Sequence, residues 1–303
     1  MQRQRAEQLA STLPPLLVAA ERVASTVAQG VHGRRRVGQG DSFWQFRHYT
    51  FGDSVRSVDW RQSAKGDHVY VRETEWEAAQ SVWLWRDASA SMRYRSDRKL
   101  PEKLERAELL LAALAALLAG SGEQVALLGG VHAPLRGQNT LPRLIGELDR
   151  TRAAGDGAVD VATSLPPAIP LPRHGATVWI GDFLSLVAEI EARISRHVGR
   201  GVRGFLLQVV DPAEAGLPFR GRVRFDGLEG EASTLISRVD NVRADYHRRF
   251  AGHQAALRHL ARAAGWHYAL HQTDQPPEKA LLDLYVGLSQ PAGTGGYRDS
   301  VRG

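Results

Sequence analysis

Asp87, Ser89 and Ser91 stand at alternating positions in the segment Asp87-Ala88-Ser89-Ala90-Ser91. One carboxylate and two hydroxyls are hard oxygen ligands of the kind that Mg²⁺ takes. The residues just before them, Val82-Trp83-Leu84-Trp85, are β-branched and aromatic and read as a strand, so the oxygens sit where a strand ends. Two later segments repeat the theme: Ala176-Thr177-Val178-Trp179-Ile180-Gly181 delivers Asp182, and Phe205-Leu206-Leu207-Gln208-Val209-Val210 delivers Asp211. Open α/β sheets bind ligands outside the carboxyl ends of their strands, and Asp87, Asp182 and Asp211 would converge on that edge. Asp and Ser after a strand are also ordinary turn and capping residues, so the pentapeptide by itself carries both readings.

Several chemistries lack their residues. There is no Asp-x-Asp, no Gly-x-Ser-x-Gly elbow and no Gly-x-x-x-x-Gly-Lys phosphate loop, and the histidines are scattered along the chain. Oxygen ligands without a nucleophile or a general base favour a binding module over an enzyme. Two other readings stay open: a metal-dependent phosphate-ester hydrolase using Asp87, Asp182 and Asp211, and a nucleic-acid-binding protein drawing on the arginine excess. The chain has 303 residues, no cysteine and a formal charge of +6, which excludes disulfides and thiolate zinc sites and is too modest to demand a polyanionic partner.

The elements that must carry these residues follow from periodicity. Leu16, Ala20, Val23 and Val27 share one helical face, with Pro15 at the first turn and Gly30 as the stop, which predicts a leading helix over 16–28. Residues 31–80 are punctuated by glycine, aromatics and paired charges and read as short strands and turns. There, His68 to Glu73 alternates with period two and is expected in one sheet with Val82–Trp85, as an antiparallel neighbour. Asp53, Arg56, Asp59 and Arg61 around Trp60 are expected to form a structural brace at a buried joint.

A helix over 101–119 has almost no polar face beyond its first two turns and should be buried beneath a sheet. Strands follow at 124–128, 176–181, 205–210 and 266–270, with helices near 140, at 160–165, 186–198, 236–264 and 277–288, and a β-rich insertion over 219–228. Alternating strands and helices imply a mostly parallel sheet covered on both faces. The organisation expected is an N-terminal helix (1–30), a β-rich segment (31–80), the main α/β domain (81–290) and a flexible tail (291–303). The longest apolar run, Leu109 to Ala119, is well short of the ~20 residues that span a bilayer, and a cytoplasmic protein without an export signal is expected.

The series Gly38-x-Gly40, Phe43, Arg47-x-Tyr49, Gly52-Asp53-x-x-Arg56-x-x-Asp59-Trp60, Ala64, Val71-Arg72-Glu73 and Asp87-x-Ser89-x-Ser91-Met92 closely resembles the bacterial family called domain of unknown function 58. The resemblance is dense over 38–92 and is to the short, soluble form, since longer members carry transmembrane segments ahead of the domain. It implies a von Willebrand factor A-like fold: α/β, with a doubly wound, mostly parallel sheet, helices on both faces and a small N-terminal β-rich elaboration.

The resemblance further implies a metal-ion-dependent adhesion site, in which Mg²⁺ is held by three loops and takes a carboxylate from a partner. Carried over residue by residue, Asp87, Ser89 and Ser91 match the first loop and Asp182 the third. The second loop departs, with Val159 where threonine is expected, leaving Asp160 or Thr163 as the substitute oxygen. Valine cannot ligate, and an octahedral ion short of one protein oxygen binds weakly with more water. The expected ligand set is Asp87, Ser89, Ser91, Asp182 and Asp160. The family is associated with MoxR-type AAA+ ATPases, so the implied partner is such an ATPase or its client, engaged through an acidic residue, in protein maturation or chaperone-like assembly.

Overall fold

The computed structural model describes residues 15–31, 43–49, 58–66, 68–74, 81–154, 164–228 and 232–288. In chain order the elements are helix α1 (Pro15–Val31), strand β1 (Phe43–His48), helix α2 (Trp60–Ser63), strands β2 (Tyr70–Thr74) and β3 (Ser81–Arg86), helix α3 (Lys103–Gly120), strand β4 (Gln124–Leu127) and helix α4 (Thr140–Ala154). They continue with strand β5 (Ala176–Gly181), helix α5 (Val187–Val198), strand β6 (Arg203–Val210), helix α6 (Pro212–Gly216), strands β7 (Val223–Phe225) and β8 (Thr234–Ile236), helix α7 (Val239–Ala263), strand β9 (His267–Gln272) and helix α8 (Pro277–Leu288). A 3-10 turn, Ala90–Arg93, follows β3. Contacts divide the chain into two units, one of Met1–Gly33 with Ser81–Gly303, the other of Arg34–Gln80.

The larger unit is built on a five-stranded sheet in the order β4-β3-β5-β6-β9, with every pair parallel. Every residue of β5 is buried, which is why its sequence is a continuous apolar run and not an alternation. One face is covered by α1, α3, α4 and α8, whose apolar side chains meet Val82, Leu84, Val178 and Leu207 in one core. The other carries α5 and α7, with Trp179, Leu206, Ile190, Leu257 and Trp266 in a second core. This is the doubly wound, von Willebrand factor A-like arrangement.

Helix α1 belongs to this unit. Leu17, Val23 and Val27 bury one stripe of it in the first core, and each such side chain contributes roughly 1.5–3 kcal/mol on burial.

Topology then selects where a ligand would go. From β3 the chain crosses through α3 to β4 on one side, and later enters β5 on the other side of β3. The strand order therefore reverses between β3 and β5, and the crevice of such a sheet opens above their carboxyl ends. Arg86 is in register with Ile180, so the residues that leave those two strands together are Asp87 and the Gly181-Asp182 pair.

In the smaller unit β1 and β2 form an antiparallel pair with an irregularity between Phe43 and Gln45. The expected pairing of the 68–73 segment with Val82–Trp85 is thus corrected. β2 pairs with β1, and both edges of β3 are taken by β4 and β5. Asp59 caps α2, its Oδ1 accepting from the Gln62 amide at 2.9 Å. Trp60 is 64% exposed, so no buried joint forms around it; the cap is the role Asp59 has. Asp53 and Arg56 lie outside the described residues, as do the segments 155–163 and 291–303 for which a short helix and a flexible tail are expected. The β-rich insertion is the antiparallel pair β7–β8.

Candidate functional site

At the strand-order reversal the two loops are clamped together by backbone before any side chain is considered. The Asp87 amide donates to the Ile180 carbonyl at 2.8 Å, carrying the β3–β5 ladder one residue beyond the strand. Gly181 makes that approach possible: a Cβ there would stand 2.8 Å from the Cβ of Asp87, closer than such atoms pack. Beyond Asp182 the chain turns through Phe183, whose φ of 54° is unfavourable for a bulky residue. The buried Phe183 ring and a 2.7 Å contact between its carbonyl and His253 Nε2 hold that turn.

Four of the five expected ligands are described, and they do gather. Ser89 donates its amide to Asp87 Oδ1 at 2.8 Å, and its hydroxyl lies 3.1 Å from that of Ser91. The Ser91 hydroxyl donates to Asp182 Oδ2 at 2.7 Å, joining the first loop to the third. Asp87, Ser89 and Asp182 are buried, and Ser91 is half-buried. Asp160, Val159 and Thr163 lie outside the described residues. Asp211 does not join the cluster. It caps α6, its Oδ1 accepting from the Ala213 amide at 2.7 Å and its Oδ2 from the Ser96 amide at 2.9 Å.

The group that sequence reasoning missed is Lys103, in the first turn of α3. It is completely buried, and its Nζ lies 2.9 Å from Asp182 Oδ2 and 2.6 Å from Glu214 Oε1. Glu214 is positioned by its part in the cap of α6, where its other oxygen accepts from the Asp211 amide at 2.8 Å. Burial alone would drive the Lys103 ammonium toward neutrality, but the Asp182 and Glu214 carboxylates outweigh it and hold its pKa above the ordinary lysine value. Tyr246 closes the far side, donating to the Glu214 carbonyl at 2.6 Å, and burial beside Glu214 pushes its phenol up to about 12.

These contacts decide how well the cluster fits Mg²⁺. Asp182 Oδ2 already accepts from both Lys103 and Ser91, and Oδ1 faces the Leu184 amide at 3.3 Å. An ion bound to those oxygens would lie roughly 5 Å from a fixed positive charge, a repulsion of about 7 kcal/mol at an effective dielectric of about 20. No group of three or more acidic or histidine side chains with metal-holding geometry occurs among the described residues. A divalent ion on Asp182 Oδ2 would compete with the Lys103 ammonium for that oxygen.

Around this buried knot the surface is of a different kind. The loop after Ser91 exposes Arg93, Arg95, Arg98 and Lys99 around Asp97, and the loop after Asp182 exposes Leu184 (55%) and Leu186 (71%). The Ser91–Asp182 hydrogen bond ties these two loops to each other, giving the edge a cationic side and an apolar side.

A family model described as "Protein of unknown function DUF58" matches residues 45–256. The chain belongs to this family. DUF58 relatives include uncharacterized proteins of Mycobacterium bovis (Mb1516) and Mycobacterium tuberculosis (Rv1480), each 27% identical over 270 residues that cover 85% of this chain and 83% of theirs. Among solved structures, the conserved hypothetical protein BatB from Bacteroides thetaiotaomicron aligns at 14% identity with a TM-score of 0.36, covering 67% of this chain and 96% of that one. An aerotolerance-related membrane protein from Bacteroides fragilis aligns at 15% identity with the same score, covering 69% and 98%. Among the described residues of this DUF58 chain no helix is long and apolar enough to cross a membrane.

Proposed function

We propose that this DUF58 protein is a non-enzymatic, cytoplasmic adaptor that docks an acidic, partly apolar surface of a MoxR-type AAA+ ATPase on the edge formed by the loops after β3 and β5. The observation that carries the reading is the composition of that edge: Arg93, Arg95, Arg98 and Lys99 on one loop, Leu184 and Leu186 on the other, all exposed. Exposed leucines beside arginines have the make-up of a protein interface, in which apolar anchors supply affinity and charge supplies orientation and on-rate. The adhesion-site resemblance favours the same edge, but Asp87 and Asp182, the carboxylates that would hold its ion for a partner's acid, are buried, so contact falls to the rim.

Binding of the purified chain to a MoxR-type ATPase from the same genome, followed by calorimetry or biolayer interferometry, tests this. Arg95→Glu with Arg98→Glu, and separately Leu186→Asp, should each weaken binding by at least about tenfold, or about 1.4 kcal/mol. Unchanged affinity in both variants would contradict the docking edge.

A further inference from the structure

We propose that Lys103 is a tethered cation standing in for a divalent ion, so that the β3–β5 crevice is assembled without metal and the loops that form the docking edge are set by lysine instead. The proposal concerns the ion chemistry of the site; its bearing on partner docking, though not its own test, rests on the reading above.

The ammonium has the contacts expected of such an ion. It lies within 2.9 Å of the third-loop carboxylate, which also takes the first-loop Ser91 hydroxyl at 2.7 Å. It takes a second carboxylate, Glu214, at 2.6 Å, and the Tyr94 ring centroid lies 6.0 Å away. It is shut off from solvent. Like a metal ion, it bridges segments remote in sequence, with 79 residues separating it from Asp182 and 111 from Glu214. Unlike a metal ion, it is delivered by the first turn of α3, packed against the sheet, and its binding costs no dehydration of free Mg²⁺. An ammonium has only three donors, so two carboxylates and a nearby ring suit it better than the six oxygens Mg²⁺ demands. The one ammonium faces both carboxylates, so neither Asp182 nor Glu214 is left without an opposite charge, which a buried ion pair requires to persist.

Two consequences separate this from an ordinary buried salt bridge. The wild-type chain should be indifferent to divalent ions. Removing the lysine side chain should convert the crevice into a cation site, because two carboxylates and two hydroxyls are then left together without a counter-charge. Titration calorimetry of Mn²⁺ and Mg²⁺ into the full chain, the Lys103→Ser variant and Lys103→Ser/Asp182→Asn tests both. The expected result is no saturable heat for wild type up to millimolar ion, a gain in Mn²⁺ affinity of at least about tenfold in Lys103→Ser, and loss of that gain in the double variant. Saturable binding by wild type that Asp182→Asn abolishes would overturn the proposal, as would a folded Lys103→Ser that stays inert. If Lys103→Ser fails to fold, the wild-type and Asp182→Asn titrations decide alone: saturable heat lost in Asp182→Asn overturns the proposal, and no saturable heat in wild type supports it.

Discussion

Lys103 Nζ lies 2.9 Å from Asp182 Oδ2, although one residue opens α3 and the other follows β5. Removing one member of a buried pair leaves the other charge uncompensated, at a cost of roughly 3–5 kcal/mol, while removing both together costs much less. Lys103→Met should therefore lower the unfolding free energy in urea by about that amount. Adding Asp182→Asn and Glu214→Gln to Lys103→Met should recover part of the loss. Strict additivity of the three substitutions would show that the groups do not interact.

The second buried charge network makes an asymmetric prediction. Arg86 Nε sits 2.9 Å from Glu108 Oε1 with both side chains buried, whereas Arg152, which also contacts Glu108, is 48% exposed. Glu108→Ala strands the Arg86 guanidinium in the core and should cost roughly 3–5 kcal/mol. Arg152→Ala removes a solvated partner and should cost no more than about 1 kcal/mol. Equal losses in denaturant melts would contradict this assignment of roles.

His271, on β9, contributes to the acid limb of stability. It is buried, and desolvation together with the nearby Arg106 charge lowers its pKa from 6.5 to about 4. The folded chain therefore refuses a proton that the unfolded chain accepts between those values, so the unfolded state binds more protons in that window and stability decreases as pH decreases. The stability is fully present above pH 6.5 and is lost as pH drops toward 4, a change on the order of 3 kcal/mol. His271→Leu should flatten the slope of unfolding free energy in that window. An unaltered slope would assign it to other groups.

Gly181 is required by the close approach of the two loops, not by φ. A methyl there would meet the Cβ of Asp87 at 2.8 Å, and both atoms belong to short, buried segments that cannot give way. Gly181→Ala should destabilise by roughly 1–3 kcal/mol, the usual cost of overpacking. It should also shift the amide resonances of Ala88 to Ser91 in a two-dimensional NMR spectrum. A neutral melt with an unshifted loop would show that the approach is looser than described.

The sequence carries the sheet well, because strands buried on both faces are written as unbroken apolar runs such as Ala176–Ile180 and are punctuated by acids at their ends. It also carries the pairing of the first and third loops, since Asp87 and Asp182 each end a strand. Strand adjacency is less legible. The β2 sequence alternates as a half-buried strand's should, but alternation does not say which strand it joins, and it joins β1. Trp60 and its charged neighbours look like a joint on composition, yet Asp59 spends its carboxylate on a helix cap.

Lys103 was hidden for a specific reason. A lysine in the first turn of a helix after Pro-Glu reads as solvated, and nothing local distinguishes it from Lys99. The available hint was that α3 beyond that turn has almost no polar face, so a charge at its start can point into the fold, as Lys103 does while Glu105 stays exposed. Glu214 was masked in the same way by its second duty, the cap of α6. Local spacing records one role per residue, and here each of these residues has two.

The most direct test of the account is diffraction from crystals of the wild-type chain soaked in Mn²⁺, with anomalous difference density read at the β3–β5 crevice. The Lys103 ammonium should lie between Asp182 and Glu214, with no manganese peak within bonding distance of Asp182 or Ser91. A peak coordinated by Asp182 and Ser91, with Lys103 displaced from them, would contradict it.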